Sequence, residues 1–281
     1  MKSKKNAHGT TALAHIVLVF LSFLCLFFFY ILIVNSTRTH IELQKGFSFL
    51  PGTNFINNFL NVLNDANVPI LNGILNSLIV STGCAALSTY FSAMTAYGLY
   101  VYNFKLKKPA FTFIMMILVM PTQVTALGFL RLMTNMNLTD TLIPLIIPAI
   151  ASPAVFYFMY SYMQSSLQKE LVEAARIDGS GEFRTFNKIV IPILKPAIAV
   201  QAIFSFVGAW NNYFVPALII TDKKKQTLPI MIASLRSADF LKFDMGKVYM
   251  LITIAIVPVI IIYLFLSKFI IEGVTLGGVK E

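Results

Sequence analysis

Charge is scarce in this sequence, and the scarcity decides its class. Only 12% of the 281 residues are Asp, Glu, Lys or Arg. A soluble domain carries about 25%. Hydrophobic residues make up 57%, and the mean hydropathy is +0.75. These values exclude an ordinary soluble globule and describe an integral membrane protein, read as a single domain. Acidic residues are scarcer than basic ones, 12 against 22, giving a net charge of +10. In a soluble chain that excess would point to nucleic acid. Here many of the cations stand at the ends of apolar runs, where they set topology, and no nucleic-acid partner is expected. Cysteine is nearly absent. Cys25 and Cys84 each lie inside an apolar run, with no metal-ligand spacing and no expected disulfide. The three histidines, His8, His15 and His40, lie near the amino-terminal apolar run and share no motif, so no metal site is expected. A Gly-x4-Gly-Lys-Ser/Thr phosphate loop is missing, so the chain does not hydrolyse ATP in the usual way. No catalytic set is visible, and an enzyme is not expected. The apolar runs hold no central charge. A charge at mid-bilayer costs about 2.5–3.5 kcal/mol on insertion scales and is kept only for function. Its absence argues against a proton-coupled carrier and leaves open a Na⁺ site of carbonyls and hydroxyls.

What is present is a series of long apolar runs. His15 to Val34 supplies 20 residues, about 30 Å of helix, enough to cross a bilayer. Lys2, Lys4 and Lys5 precede it. A signal peptide would have a shorter apolar core and a small-residue cleavage site, so this run reads as the first span. Asn35 to Pro69 is polar, with asparagines alternating with Phe55, Phe59, Leu60 and Leu63, and reads as one or two short amphipathic helices outside the membrane. The second span runs from about Leu71 to Tyr100. Its serines and threonines suit close helix packing, and they also suit a wet path. Lys105, Lys107 and Lys108 follow. The third span, about Ala110 to Leu130, is broken or kinked at Pro121, with Gln123 beside it. Arg131 to Asp140 reads as a loop. The fourth span, about Leu142 to Met163, begins irregularly at Pro144, Pro148 and Pro153. The fifth is set at about Pro196 to Ile220 and the sixth at about Val248 to Ser267, with Thr221 to Lys247 between them. The fold class is therefore an all-α membrane protein of six spans, residues 15–268, between tails 1–14 and 269–281.

Between the fourth and fifth spans lies the longest polar, helix-competent segment, about 164–195. Leu167, Leu171, Ala174 and Ala175 recur at helical spacing among Lys169, Glu170, Glu173 and Arg176. Asp178-Gly179 closes that helix, because glycine takes the left-handed conformation cheaply. Ser180 is expected to cap a second short helix with Glu182 in its first turn, and Pro192 and Pro196 to break it and restart the chain as the fifth span. A compact helix-turn-helix knob of this kind suits a groove on a soluble partner. The bare alternative is an interfacial helix with no partner.

The motif Glu173-Ala174-Ala175-x3-Gly179-x9-Ile189-x-Ile191-Pro192 resembles the EAA loop of permease subunits in ATP-binding-cassette importers, with Ile191 where Leu is usual. Asn76-Ser-Leu, Trp210-Asn-Asn, Thr227-Leu-Pro229 and the Gly273-to-Lys280 tail extend the likeness along the whole chain, to the maltose-transporter type of carbohydrate permease. The resemblance implies a cytoplasmic coupling helix at Glu173, Ala174, Ala175, Asp178 and Gly179, supported by Ile189 and Pro192. It also implies a second ATPase contact at Gly273, Thr275, Gly277 and Lys280. The implied partners are a related permease in a heterodimer, two ATP-binding subunits that carry ATP and Mg, an extracytoplasmic solute-binding protein and a sugar, in the surrounding lipid of the plasma membrane. The cofactors sit on the partner ATPase and none in this chain. Gln123, Trp210, Asn211, Asn212 and Tyr213 are candidate pathway residues. An indole, two amides and a phenol suit sugar hydroxyls, and equally suit an interfacial anchor with packed amides.

Thirteen of the 22 Lys and Arg fall on the inner side of this topology, with both termini inside. The rule that cations stay inside is obeyed weakly, and Lys223, Lys224 and Lys225 run against it. A permease for a solute other than sugar and a self-sufficient carrier remain the alternatives.

Overall fold

A computed structural model describes residues 2–65, 68–236 and 243–277. Among them every regular element is helical. Five stretches are long and apolar enough to cross a membrane: Leu13–Ser36, Ile70–Val101, Ile143–Ser166, Glu182–Trp210 and Met245–Phe265. A sixth arises if Lys107–Val119 and Thr122–Asn135, bent by 98°, count as one span. The chain divides into two compact units, Met1–Val68 with Ile232–Val257, and Pro69–Met231 with Pro258–Glu281.

In the first unit, α1 (Lys2–Ser36) leads into an elbow carrying α2 (His40–Gln44) and α3 (Phe55–Leu63). The elbow is held by hydrogen bonds among its own polar groups. Thr39 and Glu42 make a reciprocal capping box. The buried amide of Asn58 donates to the carbonyls of Ser36 and Arg38 at 2.8 and 2.9 Å and accepts from Asn54. Arg38 donates to Gly46 O and Glu42 O. Lys247, early in α14 (Met245–Gly277), pairs with Asp65. The expected short helices of Asn35 to Pro69 are thus present.

The second unit is built on α4 (Ile70–Val101). Both α8 (Pro153–Ser166) and α11 (Ile191–Trp210) pack along it. Ala93 and Ala96 of α4 are fully buried, and such small residues let backbones approach closely. Ser88 donates to Ser205 at 3.0 Å, and Ser92 to Ser152 O at 3.3 Å. Most of the hydroxyls of this span are therefore packing groups. Ser77, Ser81, Ser88, Thr89 and Ser92 are all buried.

Prolines shape the remainder. α5 (Lys107–Val119) and α6 (Thr122–Asn135) meet at Pro121, a sharper break than a kink, and α6 takes in the first part of the stretch expected as a loop. α7 (Ile143–Ile146), a 3-10 turn (Ile147–Ile150) and α8 form the irregular span expected from Pro144, Pro148 and Pro153. The knob holds α9 (Lys169–Ile177) and α10 (Glu182–Thr185), with a π turn (Phe186–Val190) running straight into α11. Pro192 and Pro196 therefore do not end a short helix. The π turn ends two residues before Pro192 and includes Lys188, whose carbonyl, four residues back, is the one the ring would strike. The fifth span thus starts inside the knob and ends at Trp210. Ile220 is reached only after α12 (Phe214–Ile219), and α13 (Leu228–Arg236) follows. α14 continues beyond Lys268, so the described part of that tail, as far as Gly277, is helical.

Candidate functional site

Local chemistry fixes the knob. α9 is amphipathic, burying Val172 and Ala175 and exposing Glu170, Glu173 and Arg176. It ends in a Schellman turn, in which Gly179 N–H bonds Arg176 O at 3.0 Å and Ser180 N–H bonds Ala175 O at 2.9 Å. Gly179 has φ +77°, the left-handed value expected from its position. Gly181, rather than Ser180, is the N-cap of α10, and Ser180 instead accepts a hydrogen bond from Thr185 at 2.9 Å. The π turn that follows the second helix packs on α4 through aromatic rings. Phe186 lies 5.5 Å from the Tyr97 ring and 5.7 Å from that of Tyr90, and the Tyr90 hydroxyl donates to Asn187 at 3.1 Å.

The predicted coupling residues converge. Ala174, Ala175, Asp178, Gly179 and Ile189 line one open concavity of about 370 Å³, together with the cations Arg184 and Lys188. Glu173 is exposed on α9 outside it, and Pro192 is exposed at the start of α11. Arg176 donates to Glu182 at 2.6 Å across the turn, and this pairing holds the guanidinium pKa above its ordinary value. Both side chains are more than a third exposed. A pair this exposed contributes about 0.2–1 kcal/mol to stability, so its role lies in geometry. Ile177 and Phe183 stand 87% and 71% exposed on either side of the turn. Sequence reasoning passed over both. The available signal was a large apolar residue at each edge of a polar loop.

The other predicted groups behave differently. Trp210 is buried and stacked on Phe206 at 5.6 Å, so its face is already covered. Asn211, Tyr213 and Gln123 are exposed. Asn212 lines a second cavity of about 340 Å³ with Thr122, Thr125, Cys84 and the prolines Pro144, Pro148 and Pro216. Two further motif fragments meet. The Asn76 amide donates to Lys224 O and Gln226 O at 2.9 and 3.0 Å, and Ser77 accepts from Leu228 N–H at 2.9 Å. Gly273, Thr275 and Gly277 lie on the last turns of α14, and Lys280 lies outside the described residues.

Residues 88–274 match the family described as binding-protein-dependent transport system inner membrane component. The chain belongs to this family. It is the multi-pass membrane permease subunit of an ATP-binding-cassette importer and is non-catalytic. It is 33% identical over 266 residues to the arabinooligosaccharides transport system permease protein AraQ of Bacillus subtilis (strain 168), covering 92% of each chain. It is 30% identical to the melibiose/raffinose/stachyose import permease protein MelC of the same organism, covering 90% of each. It is 27% identical to the sn-glycerol-3-phosphate transport system permease protein UgpE of Yersinia pestis, covering 96% of this permease and 97% of that one. The fold is that of a chain in the crystal structure of a bacterial ABC transporter involved in the import of the acidic polysaccharide alginate. The TM-score is 0.77 at 20% identity, over 92% of this chain and 95% of the other.

Proposed function

We propose that this permease carries an oligosaccharide or related neutral sugar, and that it does so as one half of a heterodimeric pathway with a related permease. The complex holds two ATP-binding subunits, one of which docks on this knob, and an extracytoplasmic binding protein delivers the solute. ATP and Mg reside on the ATP-binding subunits. α9 is the coupling helix, with Glu173, Ala174, Ala175, Asp178 and Gly179 at the partner surface and Ile189 and Pro192 behind it. Residues 164–195 form the coupling loop of a permease domain, 15–268, and both termini face the cytoplasm. The end of α14, from Gly273 through Thr275 and Gly277 to Lys280, supplies a second ATPase contact.

The observation that carries the coupling reading is the exposed pair Ile177 and Phe183 beside the motif-lined concavity. Two bare apolar side chains flanking a charged loop suit a partner that covers them. The sugar reading rests on the oligosaccharide permeases AraQ and MelC and on the lining of the 340 Å³ cavity. That lining offers Thr122, Thr125 and Asn212 but no cation, which suits hydroxyl groups better than a phosphate ester. The likeness to UgpE keeps a phosphorylated polyol as the second reading.

In the working cycle, ATP closes the two ATPases and moves α9, and the spans turn outward to accept solute; hydrolysis resets them. Solute, binding protein and ATP each bias one two-state element. The test is co-purification of the tagged chain with its neighbouring permease, ATPase and binding protein. ATP hydrolysis is then measured against arabino-oligosaccharides, raffinose, maltose and sn-glycerol 3-phosphate. Stimulation by a sugar-loaded binding protein is the expected result. Stimulation by the phosphate ester alone selects the second reading, and a lone particle with no ATPase removes the coupling role.

A further inference from the structure

We propose that Glu182, Tyr97 and Arg176 form a positioning clamp that fixes the angle of α9 to α4, so that force on α9 moves α4 instead of folding the Gly179 turn. The proposal rests on the reading of α9 as the coupling helix. α9 has nine residues, too few to hold a helix by itself, and buries only Val172 and Ala175. It joins α10 through Gly179 and Gly181, where an added Cβ would meet nothing within 4 Å. Such a joint is soft. A lever that pushed through it alone would bend there.

One carboxylate spans the joint. Glu182 Oε1 accepts from Arg176 Nε of α9 at 2.6 Å, and Oε2 accepts from the Tyr97 hydroxyl of α4 at 3.0 Å. Both ends are backed. Tyr97 is 4% exposed, with its ring 5.9 Å from that of Tyr102. The Arg176 guanidinium lies over the Tyr102 ring at 5.3 Å, and the Lys169 ammonium over Tyr100 at 4.9 Å. The end of α4 therefore meets α9 at two cation–π contacts and through one shared carboxylate. A carboxylate suits this position because it offers two acceptors and no donor. Glutamine keeps an acceptor for Arg176 and turns its amide N–H to the tyrosine hydroxyl, so it removes the charge and keeps both ties, whereas alanine breaks both. Tyr97→Phe removes the tie at the buried ring, and Tyr102→Phe added to it removes the second hydroxyl that the end of α4 offers Glu182.

The test uses the assembled complex in nanodiscs, with spin labels on cysteines placed at the exposed Glu170 and Lys105 in a Cys25→Ser, Cys84→Ala background. The parent should give one narrow distance distribution, the same without nucleotide and after vanadate trapping. Tyr97→Phe with Tyr102→Phe should broaden it and Glu182→Ala should broaden it most, while Glu182→Gln should leave it narrow. In all three the ATPases should still co-purify, while stimulation of hydrolysis by loaded binding protein falls severalfold in the tyrosine pair and in Glu182→Ala and is kept in Glu182→Gln. A merely structural role would lower yield and hydrolysis together and leave the stimulation ratio unchanged. Unchanged distributions and unchanged stimulation in Glu182→Ala, with ATPase bound, overturn the clamp alone. A parent chain that brings down no ATPase overturns the coupling reading, and the clamp with it.

Discussion

Gly179 is held by its backbone and by nothing else. Its φ is +77°, and a Cβ placed there would meet open space. Placing an ordinary residue in the left-handed region costs about 1–2 kcal/mol, with Asn the least resisted. Gly179→Val should therefore distort the turn without hindering membrane insertion. Solute uptake should fall severely while immunoblotted membrane content stays at the parent level, and Gly179→Asn should keep most of the uptake. Equal uptake in all three chains would show that the turn's angle does not matter. Asn58 presents the opposite case, a side chain whose partners cannot be replaced. Its amide serves two carbonyls at Ser36 and Arg38, both in buried residues. Asn58→Leu leaves those acceptors unmet, at about 1–3 kcal/mol for each buried group. The purified variant should unfold at a clearly lower temperature than the parent, and a superimposable melting curve would refute the account.

At the scale of elements, legibility followed locality. The Gly179 turn, the capped end of α9 and the irregular span of α7 and α8 were readable because one or two residues dictate each backbone. The fate of Pro192 and Pro196 was not. Whether a proline ends a helix depends on the turn before it, and a π turn has no composition of its own. Trp210 was likewise ambiguous until Phe206 was found one turn back, covering its ring. The concavity at the knob was half legible. The motif named Ala174 and Ile189, but only folding showed that they face the same space as Arg184 and Lys188.

Asp140 shows how a long-range tie escapes a sequence reading. Its carboxylate accepts from the Thr221 hydroxyl and N–H, both at 2.6 Å, and from Asp222 N–H at 2.8 Å, 81 and 82 residues away in the chain. The Thr221 hydroxyl first, then the two backbone donors, hold its pKa below the ordinary carboxylate value. A pKa lowered on folding contributes stability above the ordinary Asp range, and that contribution is lost as pH falls through the folded value. Asp140→Asn should therefore melt below the parent at neutral pH. The difference should close as pH drops through and below the carboxylate range. A gap independent of pH would mean that the charge is not what the clasp uses.

At the scale of the whole molecule, the orientation turns on one bent pair. α5 has 13 residues, about 20 Å of helix, short of the roughly 30 Å hydrocarbon layer. If α5 and α6 cross together, the chain has six spans, with the knob inside and Lys223 to Lys225 outside. If the 98° bend returns the chain to the side it came from, there are five spans. The knob then lies outside and the lysines inside. Counting cations does not separate the two. With the amino terminus inside, both topologies place thirteen of the 22 Lys and Arg inside, because the knob and tail exchange sides with Arg131 and the last polar segment. The weak obedience to the positive-inside rule is thus a property of either topology. What separates them is the partner. ATP is cytoplasmic, so an importer's coupling helix must be inside. In a cysteine-free background, Lys224→Cys should react with a membrane-impermeant maleimide on intact cells. Glu173→Cys should react only after permeabilisation. The reverse pattern would make α5 and α6 a re-entrant pair and would leave α9 on the side where no ATPase can reach it.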